Sequence, residues 1–175
     1  SHRWRNPFIP LDCGAIPVFA DIHPATLNLH PARVEAALSP RTKAILPVHF
    51  AGLPCAMGPL QVIAQARGLR IIEDAAHALG AEWNGRRIGS LGDLTTFSFH
   101  PVKHITTGEG GMVTTDDPDL AEKLRRFRNH GIDKQVRERQ ATWRQDMVTF
   151  GFNYRLTDIQ SALGISQLRR LDAGL

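Results

Sequence analysis

The sequence predicts an α/β fold: a largely parallel β-sheet flanked by helices. Three observations carry this. Short apolar runs alternate with helical patterns along most of the chain. Helix-start signals recur as a proline at Pro31, an Asp117-Pro118 pair and a Thr157-Asp-Ile-Gln160 capping box. Finally, 175 residues with 42% hydrophobic and 22% charged side chains suit one ordinary globular domain with a sizeable core.

Taken in order, Ala15 to Asp21 (AIPVFAD) reads as a strand and Pro31 to Leu38 as a short helix. Lys43 to Phe50 (KAILPVHF) reads as a buried strand, and Gly58 to Ala66 as a helix ended by Gly68. Leu69 to Asp74 (LRIIED) and Leu94 to Phe99 (LTTFSF) are the next strands, with a short extended piece at Gly111 to Thr115. A helix starts at Asp117-Pro118 and is expected to stop at Gly131. The last helix runs from Thr157 to about Leu171. No internal repeat is visible.

Several function classes recede at this point. The mostly apolar stretch from Ala44 to Ala64 is broken by Pro47, Gly52, Pro54, Gly58 and Pro59, so it reads as strand, loop and helix rather than a membrane span. Cys13 and Cys55 are too few for a disulfide framework, and SHRWRNPFIP is not a secretory signal, so a reducing cytoplasm is the expected setting. The net charge of +4 gathers partly in EKLRRFRNH, at Lys123, Arg125, Arg126 and Arg128. Without a DNA or RNA motif beside it, this reads as a solvated helix face and not a nucleic-acid surface. An anionic small substrate also suits it.

In open α/β sheets, ligands collect beyond the carboxyl ends of the strands. Asp74 and His77 follow LRII, Ser98 and His100 end TTFSF, and Lys103 comes a few residues later. His49, at the end of ILPVH, has a weaker claim. Singly, each has a plain structural reading: Asp74 as a cap or ion-pair partner, His77 as a core histidine, Lys103 as a surface lysine. Together, an aspartate, a serine and a lysine on neighbouring strand ends suit pyridoxal phosphate. That cofactor needs an amine for its aldehyde, an anion beside its ring nitrogen and donors around its phosphate. Other chemistries fit less well. GEGG has neither the P-loop nor the GxGxxG spacing, the histidines and cysteines lack zinc spacing, and FSF is not a GxSxG elbow.

Three motifs, EDAAHALGA (Glu73 to Ala81), TFSFHPVKHITTGEGGMV (Thr96 to Val113) and GFNYRLTDIQSALGISQL (Gly151 to Leu168), resemble the DegT/DnrJ/EryC1/StrS family of nucleotide-sugar aminotransferases. The resemblance runs from Cys13 to Leu175. It implies the large domain of an aspartate-aminotransferase-like (fold type I) transferase, a homodimer, glutamate as amino donor and a 4-keto nucleotide-diphosphate sugar as acceptor. By the same resemblance Lys103 forms the imine with the cofactor and later moves the proton. Asp74 pairs with the ring nitrogen, His77 lies near the ring, Ser98 contacts the phosphate, and Asn153 reaches the phosphate of the neighbouring subunit. The glycines of GEGG are expected to let the backbone turn closely beside the cofactor. The apolar stripe Ile159, Leu163, Ile165 and Leu168 reads either as core packing or as a two-fold interface.

The chain also departs from the family pattern. Residues 1–12 do not resemble the family's phosphate loop and ring-stacking aromatic, and the small domain has no counterpart after Leu175. The expected organisation is therefore an atypical segment, 1–12, and the central part of the cofactor-binding domain, 13–175. A non-catalytic binding or assembly fragment is the alternative. A sugar dehydratase fits less well, because the family's dehydratases replace the lysine by histidine.

Overall fold

A computed structural model describes residues 13–133 and 146–175, so the atypical segment 1–12 lies outside the described residues. Helix α1 (Pro31–Ala37) begins where expected, with His30 Nδ1 accepting the Ala32 N–H as a cap. Strand β1 is only Ala44–Ile45, and a 3-10 turn follows at Phe50–Gly52. The expected strand through Phe50 is cut short by Pro47, which has no N–H for a ladder. Val48 still bridges Asp74. Helix α2 (Met57–Arg67) buries Met57, Leu60 and Ala64 along one face and ends at Gly68 in the left-handed conformation (φ 62°).

Strands β2 (Arg70–Asp74), β5 (Leu94–Ser98) and β6 (Gly111–Thr114) complete a sheet in the order β1-β2-β5-β6. The first three strands are parallel, and β6 runs antiparallel to β5. The sheet is thus mostly parallel, with α2 packed on β1 and β2. Between β2 and β5 the chain forms a small hairpin, β3 (Glu82–Trp83) and β4 (Arg86–Arg87), instead of a helix. Asn84 and Gly85 both have positive φ, as a two-residue turn of this hand requires.

Two expectations are corrected. Ala15 to Asp21 is not a strand: it has no ladder partner among the described residues, and Ile16, Val18 and Phe19 are exposed. Only Ile22 pairs, in a single bridge to Leu29. Helix α3 (Pro118–Phe127) ends before Gly131, at Arg128, whose N–H bonds the Leu124 carbonyl. Its start is as expected, with Asp117 capping Asp119 and Leu120. Helix α4 (Asp158–Leu168) opens on the capping box and is followed by a short α5 (Leu171–Gly174).

The core contains one fully buried polar group set. His49 Nε2 lies 2.8 Å from Glu73 Oε2, and neither side chain has any exposed surface. Glu73 Oε1 accepts the Gly92 N–H at 2.6 Å and the Thr95 hydroxyl at 2.8 Å. His49 Nδ1 accepts the Cys55 N–H at 3.0 Å, so Nε2 carries the hydrogen donated to Glu73. Burial pushes the Glu73 carboxyl up. The bonds from His49, Thr95 and Gly92 outweigh it, and its pKa lies below the ordinary glutamate value. Gly92 is required here, since a Cβ would sit 2.8 Å from Glu73 Oε1 and 3.0 Å from the Ile71 carbonyl.

A carboxyl whose pKa is lowered by folding stabilises the fold fully above its unfolded value, about 4.3, and loses that contribution as pH falls through its folded value. Urea midpoints should therefore drop as pH is taken from 6 to 3. Glu73→Gln should lose about 2 kcal/mol at pH 6 and show a shallower acid limb; an unchanged limb would assign the acid sensitivity to other carboxyls.

Candidate active site

Parallel pairing brings the sequence-predicted residues to one end of the sheet. Asp74 is the last residue of β2 and is in register with Thr96, two positions before Ser98 at the end of β5. Side chains alternate along a strand, so Glu73 enters the core while Asp74 faces the other way. Asp74 is half-buried, and its Oδ1 accepts the Ala76 N–H at 3.0 Å. Ser98 Oγ accepts the His100 N–H at 3.4 Å, which leaves its hydroxyl hydrogen to donate elsewhere.

Lys103 lies in the loop joining β5 to β6. Ser98 pairs with Gly111, and Phe99 N–H donates to the Gly110 carbonyl at 2.8 Å, so residues 99–110 form a closed loop beyond the strand end. Lys103 N–H turns back to the His100 carbonyl at 3.0 Å. The Thr107 N–H and the Thr106 hydroxyl both bond the Phe99 carbonyl. A cleft of about 320 Å³ is lined by Lys103, His77, His104, Ala51 and Val102. Lys103 is half-buried there. The structure thus sets Lys103 and His77 on one cleft; Asp74 and Ser98, at the ends of the paired strands β2 and β5 that lead to them, are not among its lining residues.

The turn that brings Ala51 to the cleft is held by a residue that sequence reasoning missed. Asn28, 3% exposed, receives the Phe50 N–H at 2.9 Å and donates to the Leu53 carbonyl at 2.8 Å. That pins the turn carrying Ala51. His49 takes no place in the cleft; it belongs to the buried set with Glu73. Neither bond pattern has a local sequence signal, because the partners lie 22 to 25 residues apart.

The glycines of the loop have a packing role as well. Gly108 adopts φ 79° in open space, but Gly110 and Gly111 are hemmed in by protein. A Cβ on Gly111 would lie 2.7 Å from the Phe97 carbonyl, and one on Gly110 would overlap Thr107 Oγ1 and approach Leu156 Cδ2 to 2.9 Å. Helix α4 secures the same loop from outside through Gln160 Nε2, which donates to the Glu109 carbonyl at 2.9 Å.

Asn153 stands apart. It is exposed, bridges Asn129, and does not line the Lys103 cleft. The stripe of α4 is not core either: Ile159 is 83% exposed and Leu163, Ile165 and Leu168 are also exposed. The basic face of α3 is partly neutralised, with Arg126 bridging Glu122 and Asp133 and Arg125 bridging Glu122. A larger cleft, about 460 Å³, opens at the amino ends of β2 and β5 near Asp93, Asp116 and Asp117. Two of these three acids have structural roles: Asp93 binds Arg70 and the Ile71 N–H, and Asp117 caps α3. No helix among the described residues is long and apolar enough to cross a membrane.

A lysine cleft at the carboxyl end of a mostly parallel sheet, with an acid on the neighbouring strand, is the arrangement of a pyridoxal-type aminotransferase large domain. The chain belongs to the DegT/DnrJ/EryC1/StrS aminotransferase family, which it matches over residues 10–175. It is 51% identical to GDP-perosamine synthase of Caulobacter vibrioides over 163 residues, which are 93% of this chain and 42% of that protein. Among solved structures it resembles Helicobacter pylori PseC, an aminotransferase involved in the biosynthesis of pseudoaminic acid, with TM-score 0.87 and 37% identity over 93% of this chain and 42% of that one. It also resembles the putative sugar aminotransferase Spr1654 from Streptococcus pneumoniae in its PLP form, with TM-score 0.83 and 31% identity over 95% and 46%. The chain thus spans about 42% of the length of the curated relatives it matches.

The close packing at Gly110 generates a test. Gly110→Ala should loosen the Lys103 loop, because Thr107 and Leu156 must both move. Hydrogen exchange at residues 99–111 should speed up at least tenfold while β2 stays protected; unchanged exchange would show that the loop absorbs the methyl group.

Proposed function

We propose that this chain forms the central part of the cofactor-binding domain of a nucleotide-sugar aminotransferase, within a longer polypeptide. The observation that carries the reading is the half-buried Lys103 in a cleft beside the strand ends of Asp74 and Ser98. These residues fit pyridoxal phosphate by their chemistry: an amine, an anion and a hydroxyl with a hydrogen to give. When bound, that cofactor supplies an electron sink for removing a proton from the carbon that bears the amine.

The chain's own residues do the rest. Lys103 binds the cofactor aldehyde and, once released by substrate, holds and moves the proton between the two reacting carbons. Asp74 would supply the negative charge that keeps the ring nitrogen protonated. Ser98 would donate to the phosphate, and His77, which lines the cleft with Lys103, would lie near the ring. Glutamate is the amino donor and a 4-keto nucleotide-diphosphate sugar the acceptor. Likeness to GDP-perosamine synthase and to PseC supports this substrate class across more than one sugar. The exposed Asn153 and the exposed stripe of α4 support a homodimer in which Asn153 serves the other subunit's phosphate. Two free cysteines support a cytoplasmic setting.

Two measurements check the reading. Added pyridoxal phosphate should give a visible absorbance band, and borohydride should fix the cofactor on Lys103; label on Lys43 or Lys123 instead would overturn the assignment. No band at all would identify a binding or assembly fragment. In the complete polypeptide, Asp74→Asn should slow transamination by about 10²- to 10³-fold, the effect of losing one electrostatic partner. Near-normal turnover would make Asp74 structural.

A further inference from the structure

Asp74 is held by a residue that also holds Glu73. The His49 N–H donates to the Asp74 carbonyl at 3.0 Å, and the same residue's Nε2 meets Glu73 Oε2 at 2.8 Å. Asp74 returns its own N–H to the Pro47 carbonyl at 2.9 Å. On the other flank, Ala75 N–H bonds the Thr96 carbonyl at 2.9 Å, while Glu73 reaches β5 through Thr95 and the Gly92 N–H just ahead of that strand.

We infer that His49 and Glu73 are positioning residues for Asp74: the buried pair sets where the strand-end carboxylate stands against the cofactor ring. The inference rests on the pyridoxal phosphate reading. Glu73 points to the opposite side of the strand, so it acts through His49 and the backbone and touches neither cofactor nor substrate. Space filling alone does not account for the pair. Apolar side chains of similar volume fill a core without the cost of burying a carboxylate. What the bonded set adds is direction. Both ring nitrogens of His49 are engaged, so its ring cannot turn without breaking a bond to Cys55 or Glu73. Its main-chain N–H is thereby aimed at Asp74. Asn28 fixes the next residue, Phe50, so the segment cannot slide along β2 to compensate.

The test uses the complete polypeptide loaded with pyridoxal phosphate. His49→Gln and Glu73→Gln are compared with Val34→Ala, a core truncation in α1 outside the bonded set. The readout is the pH midpoint of the bound cofactor's absorbance change, which simple loss of stability does not move. Both glutamine variants should shift that midpoint by about one unit or more, and Val34→Ala should leave it in place. If they keep the wild-type midpoint, or if Val34→Ala shifts it equally, the inference is overturned. Should the glutamine variants not fold, the wild type decides: the His49 Nε2–H proton resonance should move when cofactor binds, and a fixed resonance overturns the inference. Wild type that takes up no pyridoxal phosphate at Lys103 overturns the functional reading and this inference with it. Binding at Lys103 with unmoved midpoints removes this inference alone.

Discussion

A buried carboxylate has to be surrounded by donors, and the fold is arranged around one. Glu73 collects hydrogens from His49 on one segment of chain and from Gly92 and Thr95 on another. Leaving a charge of this kind unpaired in the interior would cost several kcal/mol. The segments after β1 and before β5 are therefore tied to β2 at one level. That level lies near the carboxyl end of β2 and the start of β5. The next residue along the strand is Asp74, so the depth of the candidate site follows from the packing of the core beneath it.

The site and its foundation divide the labour by face and by polarity. Beneath the strand ends lie groups whose bonds are complete, and the Cys55 thiol among them is pushed up to about 11 by burial, which keeps it an inert packing group. Above them, Lys103 rides on a loop braced from both sides. Phe99 and Gly110 close its neck, and Gln160 of α4 holds its rim. A lysine on so exposed a connection would ordinarily sample many positions and lose side-chain entropy on ordering. Here the backbone supporting it is already fixed.

The sequence was most legible where structure is written locally. Pro31, Asp117 and the Thr157–Gln160 box mark helix starts because a cap is a contact between near neighbours. The strands LRIIED and LTTFSF, with Asp74 and Ser98 at their ends, were legible for the same reason. Ala15 to Asp21 has strand composition but no edge to pair with among the described residues, and composition cannot report a missing partner. The bond between His49 and Glu73 spans 24 residues and could not be read from either motif. The hairpin between β2 and β5 was legible in principle, since Asn84-Gly85 is the strongest short turn signal in the chain. The glycines at 110 and 111 were legible as positions of close approach, and the structure shows protein atoms that require them.

Among the described residues, every buried hydrophobic side chain lies between Val34 and Ile105, while α3 and α4 bury none. This uneven distribution bears on how the chain emerges during synthesis. Domains condense as units from the amino-terminal side while translation proceeds at about 5–20 residues per second. The parallel strands, α2 and all five residues of the carboxylate clamp are available once β6 has left the ribosome. The next sixty or so residues, about twelve seconds of translation at the slower rate, arrive at a surface that is already set. Along this stretch the ribosome delivers the foundation of the site before the helix that holds its rim.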